Sequence, residues 1–392
     1  MRTTFVGLSA IAVGMLAAAS NAGAQDTVKI GMILSYSGQF ADPGVQVDNG
    51  VKLYMKLHGD TVAGKKIEII RKDDGGINPP LVKRLAQELI VRDQVDILAG
   101  FTASPNGFAG ADISQQAKKF MVIMLSATSA IITHSQYLAR ASFTIPQQVG
   151  TLGTWAAKSG IKRVYLMTTD YAPGHDAETA FTTSFKAGGG EVVGSVRMPV
   201  ANPDFSAYVQ RAKDLNPESI FVFIPGGTQP ASLAKAMAER GVDPTKFKIL
   251  TTGEMVDEQP LKSMGDAALG IISGWHYDIS HDSKMNKDFV KAYVDMFHRN
   301  PDFFTVGGYD GMHVIYEALK KTKGNTDAQV LIDAVKGMSW ESPRGPMSLD
   351  PKTGDVVQTV YIRRVEKVGG KLVNVEIAKV PAVKDPLSAA TK

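Results

Sequence analysis

The feature that most constrains this chain is a repeated grammar: a short apolar run, a break into small hydroxylated residues, then an amphipathic stretch. It is densest from Val95 to Thr133, which reads VDILAGFTASPNGFAGADISQQAKKFMVIMLSATSAIIT. Val95–Ala99 has strand length and Gly100 ends it. A loop with Phe101, Thr102 and Ser104 follows, then Pro105 and a mostly amphipathic segment to Lys119. Met121–Leu125 is a second apolar run and closes in Ser126, Ala127, Thr128 and Ser129. Buried strand, polar loop, helix and buried strand make a βαβ unit. Ser104 is expected as the N-cap and Pro105 as the first helical residue. Free N–H groups at that helix start, together with the hydroxyls, suit a carboxylate. Ordinary helix capping is the alternative that this loop alone leaves open.

The same grammar recurs along the chain. Val28–Leu34 reads as a strand closing in Ser35, Tyr36, Ser37, Gly38, Gln39 and Phe40, and Gly44 to about Leu57 as a helix. Lys66–Arg71 is a second strand, ending at Asp73 and Asp74, and Pro79 and Pro80 start the helix that leads into the βαβ unit. The pattern pauses near Phe143–Gln148 and restarts. Arg163–Met167 ends in Thr168-Thr169-Asp170-Tyr171, Ile220–Ile224 in Pro225-Gly226-Gly227-Thr228, and Lys248–Leu250 in Thr251-Thr252-Gly253-Glu254. Two such blocks predict an α/β protein with two doubly wound parallel-sheet lobes. Beyond Gly270, Thr359–Val365 and Val373–Val380 read as antiparallel strands about the Gly369-Gly370 turn, and Pro381–Lys392 as a frayed tail.

Composition excludes several classes. With 392 residues, 44% of them hydrophobic, the chain has ample core for two domains. Its net charge of +4 is small, and no Lys/Arg block of the kind that binds nucleic acid is present. Arg2, the apolar Phe5–Ala19 and the Ala22-Gly23-Ala24 signal read as a secretory leader over residues 1–24, cleaved near Ala24. The cysteine count is zero, so there is no disulfide framework, no thiolate metal site and no lipidated Cys anchor. An exported chain without such an anchor is expected to be free in the periplasm.

Catalytic signatures are missing. Gly188–Gly194 is not G-x-G-x-x-G and precedes a strand, and neither a P-loop nor a G-x-S-x-G elbow occurs. His276 and His281 stand near Asp278 and Asp282, yet their spacing matches no known metal geometry. His134, His175 and His313 lie in no catalytic context, and Asp73/Asp74 read as loop-holding residues. No cofactor and no enzymatic activity are expected.

In order, SYSGQFADPG (35–44), AGFTASP (99–105), LSATSA (125–130), DYAPGHDAE (170–178), NPDFSAYV (202–209), TGE (252–254) and YDG (309–311) span essentially the whole mature chain. That order resembles the periplasmic solute-binding proteins of ABC transporters, in the leucine/isoleucine/valine-binding branch. The resemblance implies a type I periplasmic-binding fold whose lobes are joined by three crossings, placed near Phe143–Gln148, Trp275–Tyr277 and Gly345–Pro351. Lobe one is then 26–146 plus 276–350, and lobe two 147–275 plus 351–392.

The resemblance also assigns roles. Ser104 takes the ligand carboxylate, Ser126 gives a backbone contact, and Thr128 bonds the charged head. Tyr171 closes over the site, and Glu254 meets the α-ammonium in amino-acid binders. The chain departs from relatives at Pro43 and at Pro225-Gly226-Gly227, where a tyrosine can stand. Tyr36, Phe40 and Phe101 offer aromatic surface beyond the needs of a small aliphatic side chain. Two ligand classes therefore remain: a branched-chain or hydrophobic amino acid, and a larger aromatic carboxylate. The implied partner is an inner-membrane ABC permease, the implied state a monomer. A periplasmic ligand sensor and an exported hydrolase are the alternatives.

Overall fold

The computed structural model describes residues 26–388 except Thr245; the expected leader, residues 1–24, lies outside the described residues. Among the described residues the strands form two sheets. The first contains β1 (Thr27–Leu34), β2 (Thr61–Val62), β3 (Lys65–Asp73), β4 (Ile97–Gly100), β5 (Phe120–Ile123) and β6 (Leu138–Arg140), in the order β2-β3-β1-β4-β5-β6. All are parallel except β2, which forms a hairpin with β3. Helices α1 (Ala41–His58), α2 (Pro79–Val91) and α3 (Ser104–Ala117) cross between its strands. With helices on both faces, β4 and β5 are buried at every position, which is why they read as unbroken apolar runs.

The chain then passes through 141–144 into α4 (Ile145–Lys158) and the second sheet. Here β7 (Arg163–Thr169), α5 (Ala172–Ala187), β8 (Glu191–Met198), α6 (Phe205–Asp214), β9 (Ser219–Phe223), α7 (Gln229–Glu239), β10 (Lys248–Thr252), α8 (Glu258–Met264) and β11 (Ile272–Trp275) alternate. These strands run parallel in the order β11-β10-β9-β7-β8. Three helices, α9 (Lys284–Phe297), α10 (Phe303–Lys321) and α11 (Ala328–Val335), return to the first sheet, α10 lying along α1. The chain ends in β12 (Ser339–Ser342), β13 (Gly345–Leu349), β14 (Val356–Val368) and β15 (Lys371–Val383), antiparallel and joined to β11 through β14.

Two readings of the sequence change. Residues 339–349, assigned above to lobe one, are hydrogen-bonded into the second sheet, because β13 pairs with β14 from Met347 to Leu349. Pro381–Val383 completes β15 instead of fraying, with Val383 opposite Gln358. Local pattern could reveal neither, since strand partnership is a long-range property.

Three buried Arg–Asp pairs hold the crossings together, and every side chain in them is at most 4% exposed. Arg140 at the end of β6 meets Asp355 at 3.2 Å and donates to the Thr128 carbonyl at 2.9 Å. Arg344, in the β12–β13 turn, donates to Asp310 of α10 at 2.9 Å, to the Ser142 carbonyl at 2.6 Å and to the Ala141 carbonyl. Arg363 of β14 donates to the Tyr277 carbonyl at 2.6 Å and to Asp278 at 3.1 Å. Beside them Phe143, Trp275, His276 and Phe303 pack ring on ring, with centroids 4.5–6.0 Å apart. Removing one partner of a buried pair strands the other charge, at about 3–5 kcal/mol. Arg344→Leu is therefore expected to lower stability by about that amount in calorimetry. Arg344→Leu combined with Asp310→Leu should regain most of the loss; a double variant as unstable as the single one would refute the pairing.

Candidate functional site

The carboxyl ends of the parallel strands in the two sheets supply both sides of a slot. From the first sheet come Phe40 after β1, Thr102, Ala103 and Ser104 after β4, and Leu125 and Ala127 after β5. From the second come Tyr171 after β7, Pro225 and Gly226 after β9, and Glu254 after β10. Phe143 and Ile145 of the first crossing close the back, and Phe304 of α10 stands at the side. The slot has a cavity volume of about 40 Å³. It is narrow. Among the described residues no Lys, Arg or His lines it.

Ser104 is the first residue of α3, not its cap; that position falls on Ala103. Its hydroxyl turns instead to the loop after β5 and accepts from the N–H groups of Ala127 and Thr128, each at 3.2 Å. With its lone pairs so engaged, the Ser104 hydrogen is free to be donated into the slot. The loops behind it are tied down. Ser126 donates to the carbonyls of Phe101 at 2.8 Å and Ala103 at 3.0 Å, and the Thr102 hydroxyl accepts from Ser35 N at 3.0 Å. Asp74 accepts from Ser35 at 2.6 Å and from Asn106 at 2.8 Å, so the Asp73/Asp74 pair holds loops, as expected.

Of the residues singled out in the sequence, Ser104, Ala127, Thr102, Phe40, Tyr171, Gly226 and Glu254 meet in the slot. Four others do not line it. Phe101 is wholly buried in the first lobe's core, its ring against Gly110 of α3. Tyr36 is half-buried against the first lobe's core, and its N–H donates to Asp73 at 2.8 Å. Ser126 is spent on the loop carbonyls, and Thr128 is buried behind the slot with its hydroxyl unpaired. Tertiary direction decided these cases, since an aromatic at a strand end can turn either way.

The sequence reading missed Phe143, Phe223, Phe304 and a repeated signal. Asp42-Pro43-Gly44 and Ala172-Pro173-Gly174 sit at the same place in the two lobes, and both prolines line the slot. A Cβ on Gly44 would lie 1.8 Å from the Ser35 carbonyl oxygen, and one on Gly174 would lie 1.7 Å from that of Thr169. Each helix start can press against its strand end only because glycine stands there.

The lobes touch directly at several places, and Asn300 of the first donates to Glu258 of the second at 2.8 Å. Gly227 (φ +95°) packs on the Gln39 carbonyl, and Gly226 on the Phe304 ring, where added Cβ atoms would fall at 2.4 and 2.7 Å. A side chain at either glycine would collide with the facing lobe. Asp176 of α5 accepts from Ser129 N of the first lobe at 2.9 Å. Burial, with Asp385 close by, pushes the Asp176 carboxyl up to about 6 against the pull of Arg140 and His175. Glu254, half-buried, accepts from the Thr252 hydroxyl at 3.2 Å and from Gly226 N–H; burial pushes its carboxyl up to about 8. Tyr171 stacks over Phe223, with centroids 6.3 Å apart.

The periplasmic binding protein family model matches residues 27–371. The chain belongs to that family. This periplasmic binding protein is 40% identical over 385 residues to the Leu/Ile/Val-binding protein homolog 6 of Brucella melitensis, covering 97% of this chain and 98% of that one. It is 52% identical to a solute-binding protein of an ABC transporter from Rhodopseudomonas palustris BisB5, solved in complex with 3,4-dihydroxy benzoic acid (TM-score 0.89; 92% of this chain, 99% of the other). It is 40% identical to a second R. palustris solute-binding protein, in complex with 4-hydroxybenzoate (TM-score 0.89; 92% and 99%). Proteins of this family work in the periplasm, and among the described residues no helix is long and apolar enough to cross a membrane. Nor do the described residues gather three His, Cys, Asp or Glu side chains that could hold a metal; His276 is buried among rings and His281 pairs with Glu376 at 2.8 Å.

In this structure the two lobes meet across the bare backbone at Gly227. Gly227→Ala is expected to leave the free protein folded at a cost of about 1 kcal/mol for the left-handed φ. It should also abolish the compaction that ligand causes in small-angle X-ray scattering. A variant that still compacts like the wild type would show that this contact does not limit closure.

Proposed function

We propose that this protein captures a small aromatic carboxylate between its lobes and presents the closed complex to an inner-membrane ABC permease, acting as an exported monomer once its leader is removed near Ala24. The observation that carries the reading is the slot: narrow, walled by Phe40, Phe143, Phe223 and Phe304 with Pro43 and Pro173, and free of cations. A flat ring suits such walls. Its carboxylate is met by the Ser104 hydroxyl, whose acceptance of two amide N–H groups sharpens its donor character. The ligands named for the two R. palustris relatives are of this class.

The energies are adequate. Micromolar affinity needs about 8 kcal/mol. Hydrogen bonds to a charged group contribute about 1.5–3 kcal/mol each, and burial of the ring adds about 1.5–3 kcal/mol, against the cost of association. Binding without turnover is the whole of the activity proposed. A branched-chain amino acid is the weaker candidate, because Glu254 holds its proton at neutral pH and offers an ammonium no charge until it ionises.

Calorimetry with benzoate, 4-hydroxybenzoate and leucine tests the reading: the benzoates should bind, and leucine should bind more weakly. Ser104→Ala is expected to weaken benzoate binding about tenfold or more, as loss of a charge-assisted bond requires, with little change in stability. Unchanged affinity would remove Ser104 from the site.

Closure also carries a proton. In this structure burial pushes the Asp176 carboxyl up to about 6, and opening the cleft would relieve that burial and return it toward the ordinary carboxylate range. The closed state therefore binds the proton more tightly, and its advantage is present at low pH and lost as pH rises through about 6. Affinity for 4-hydroxybenzoate should rise as pH is lowered from about 7 to about 5.5, and Asp176→Asn should flatten that rise; an equally steep profile in the variant would refute the linkage.

A further inference from the structure

Trp275 does not line the slot, yet it touches what does. Its indole lies against the ring of Phe143, a slot residue, with centroids 4.8 Å apart and planes at 62°. On a second side it meets the Phe303 ring edge-on at 4.9 Å, and Phe303 lies 3.8 Å from the ring of Phe304, also in the slot. On a third it presses on Gly253, where an added Cβ would fall 2.2 Å from the indole, and the next residue is Glu254. Phe143, Phe304 and Glu254 each stand on Trp275 or beside a residue that touches it.

The indole has nowhere to retreat. It is 1% exposed and ends β11, where Trp275 pairs with Tyr361 of β14. The preceding Gly274 lies so near α4 that a Cβ there would come within 2.8 Å of the Gln148 carbonyl oxygen. Phe143 is equally confined: His276 stacks on its face at 4.5 Å and 23°, and the residue is 2% exposed. A close-packed interior does not stretch to take a larger guest, because added carbons force side chains off their rotamers. Room in the slot is therefore set at Trp275 as well as at the slot's own lining.

We propose that Trp275 is a positioning residue that fixes the size of guest the slot accepts: by holding Phe143 in place it admits one aromatic ring and rejects two fused rings. This rests on the aromatic-carboxylate reading above. Trp275 acts through Phe143 and not by contact with the ligand. Its effect is therefore read in the selectivity between acids of different size, whereas general destabilisation would weaken all of them alike.

The test is calorimetry with benzoate and 2-naphthoate, which carry the same carboxylate on one ring and on two. The wild type should bind benzoate at least about tenfold more tightly, the effect of overpacking a close-packed site. Trp275→Leu should bring the ratio of the two affinities close to one, because Phe143 can move into the space left. Phe143→Leu should do the same, and adding Trp275→Leu to it should change the ratio little further, as two residues acting through one ring require. A wild type that binds 2-naphthoate as tightly as benzoate, an undiminished ratio in Trp275→Leu, or effects of the two substitutions that simply add would overturn the role of Trp275 and leave the carboxylate reading standing. Binding of neither acid by the wild type would overturn that reading itself. Should Trp275→Leu not fold, Trp275→Phe takes its place: it should lower the ratio, and a ratio equal to that of the wild type would overturn the role.

Discussion

The architecture depends on three buried arginines that tie the crossings between the lobes. Arg140–Asp355 joins the end of the first sheet to the start of β14, Arg344 joins the β12–β13 turn to α10 and to the first crossing, and Arg363–Asp278 joins β14 to the second. Burying a guanidinium is costly unless its donors are matched; carbonyls of Ala141, Ser142, Thr128 and Tyr277 take several of these donors, while Arg140 Nε and Arg363 Nη2 find no hydrogen-bond partner among the described residues. Strand ends of two separate sheets are thereby held to a common axis. Without that registry the loops after β4, β5, β9 and β10 would not converge on one slot.

The anion recognition proposed for the slot follows a different rule. It would use a hydroxyl backed by amides in place of a lysine or arginine. In a space this enclosed, a cation would bind a carboxylate strongly in either cleft state and weaken the coupling between capture and closure, since only contacts that differ between states shift the equilibrium. Ser104 belongs to one lobe and Tyr171 and Glu254 to the other. The grip is therefore completed when the lobes meet, through Gly226, Gly227 and the Asp176–Ser129 bond.

Much of the fold was readable before any coordinates. Alternation of buried strands with helices announced two parallel sheets, and Gly369-Gly370 announced the final hairpin, because these patterns reflect local periodicity and turn chemistry. Ser104, Tyr171 and Glu254 could be placed because parallel strands present their carboxyl ends on one side of a sheet. Phe101 and Tyr36 do not line the slot, because a strand-end ring has two faces to choose between, and packing against α3 or against the first lobe's core settled each. Phe143 and Phe304 went unnoticed because they reach the slot from a crossing and from a distant helix.

The sequence by itself determined the two α/β lobes, the antiparallel ending and the polar strand-end loops, since each follows from interactions among residues near in the chain. Tertiary structure alone decided the membership of β12 and β13 in the second sheet, the Arg–Asp ties at the crossings and the choice of which side chains enter the slot. Those depend on partners as far apart as Arg344 and Ser142, and no local pattern encodes which distant carbonyl or carboxylate a buried guanidinium will meet.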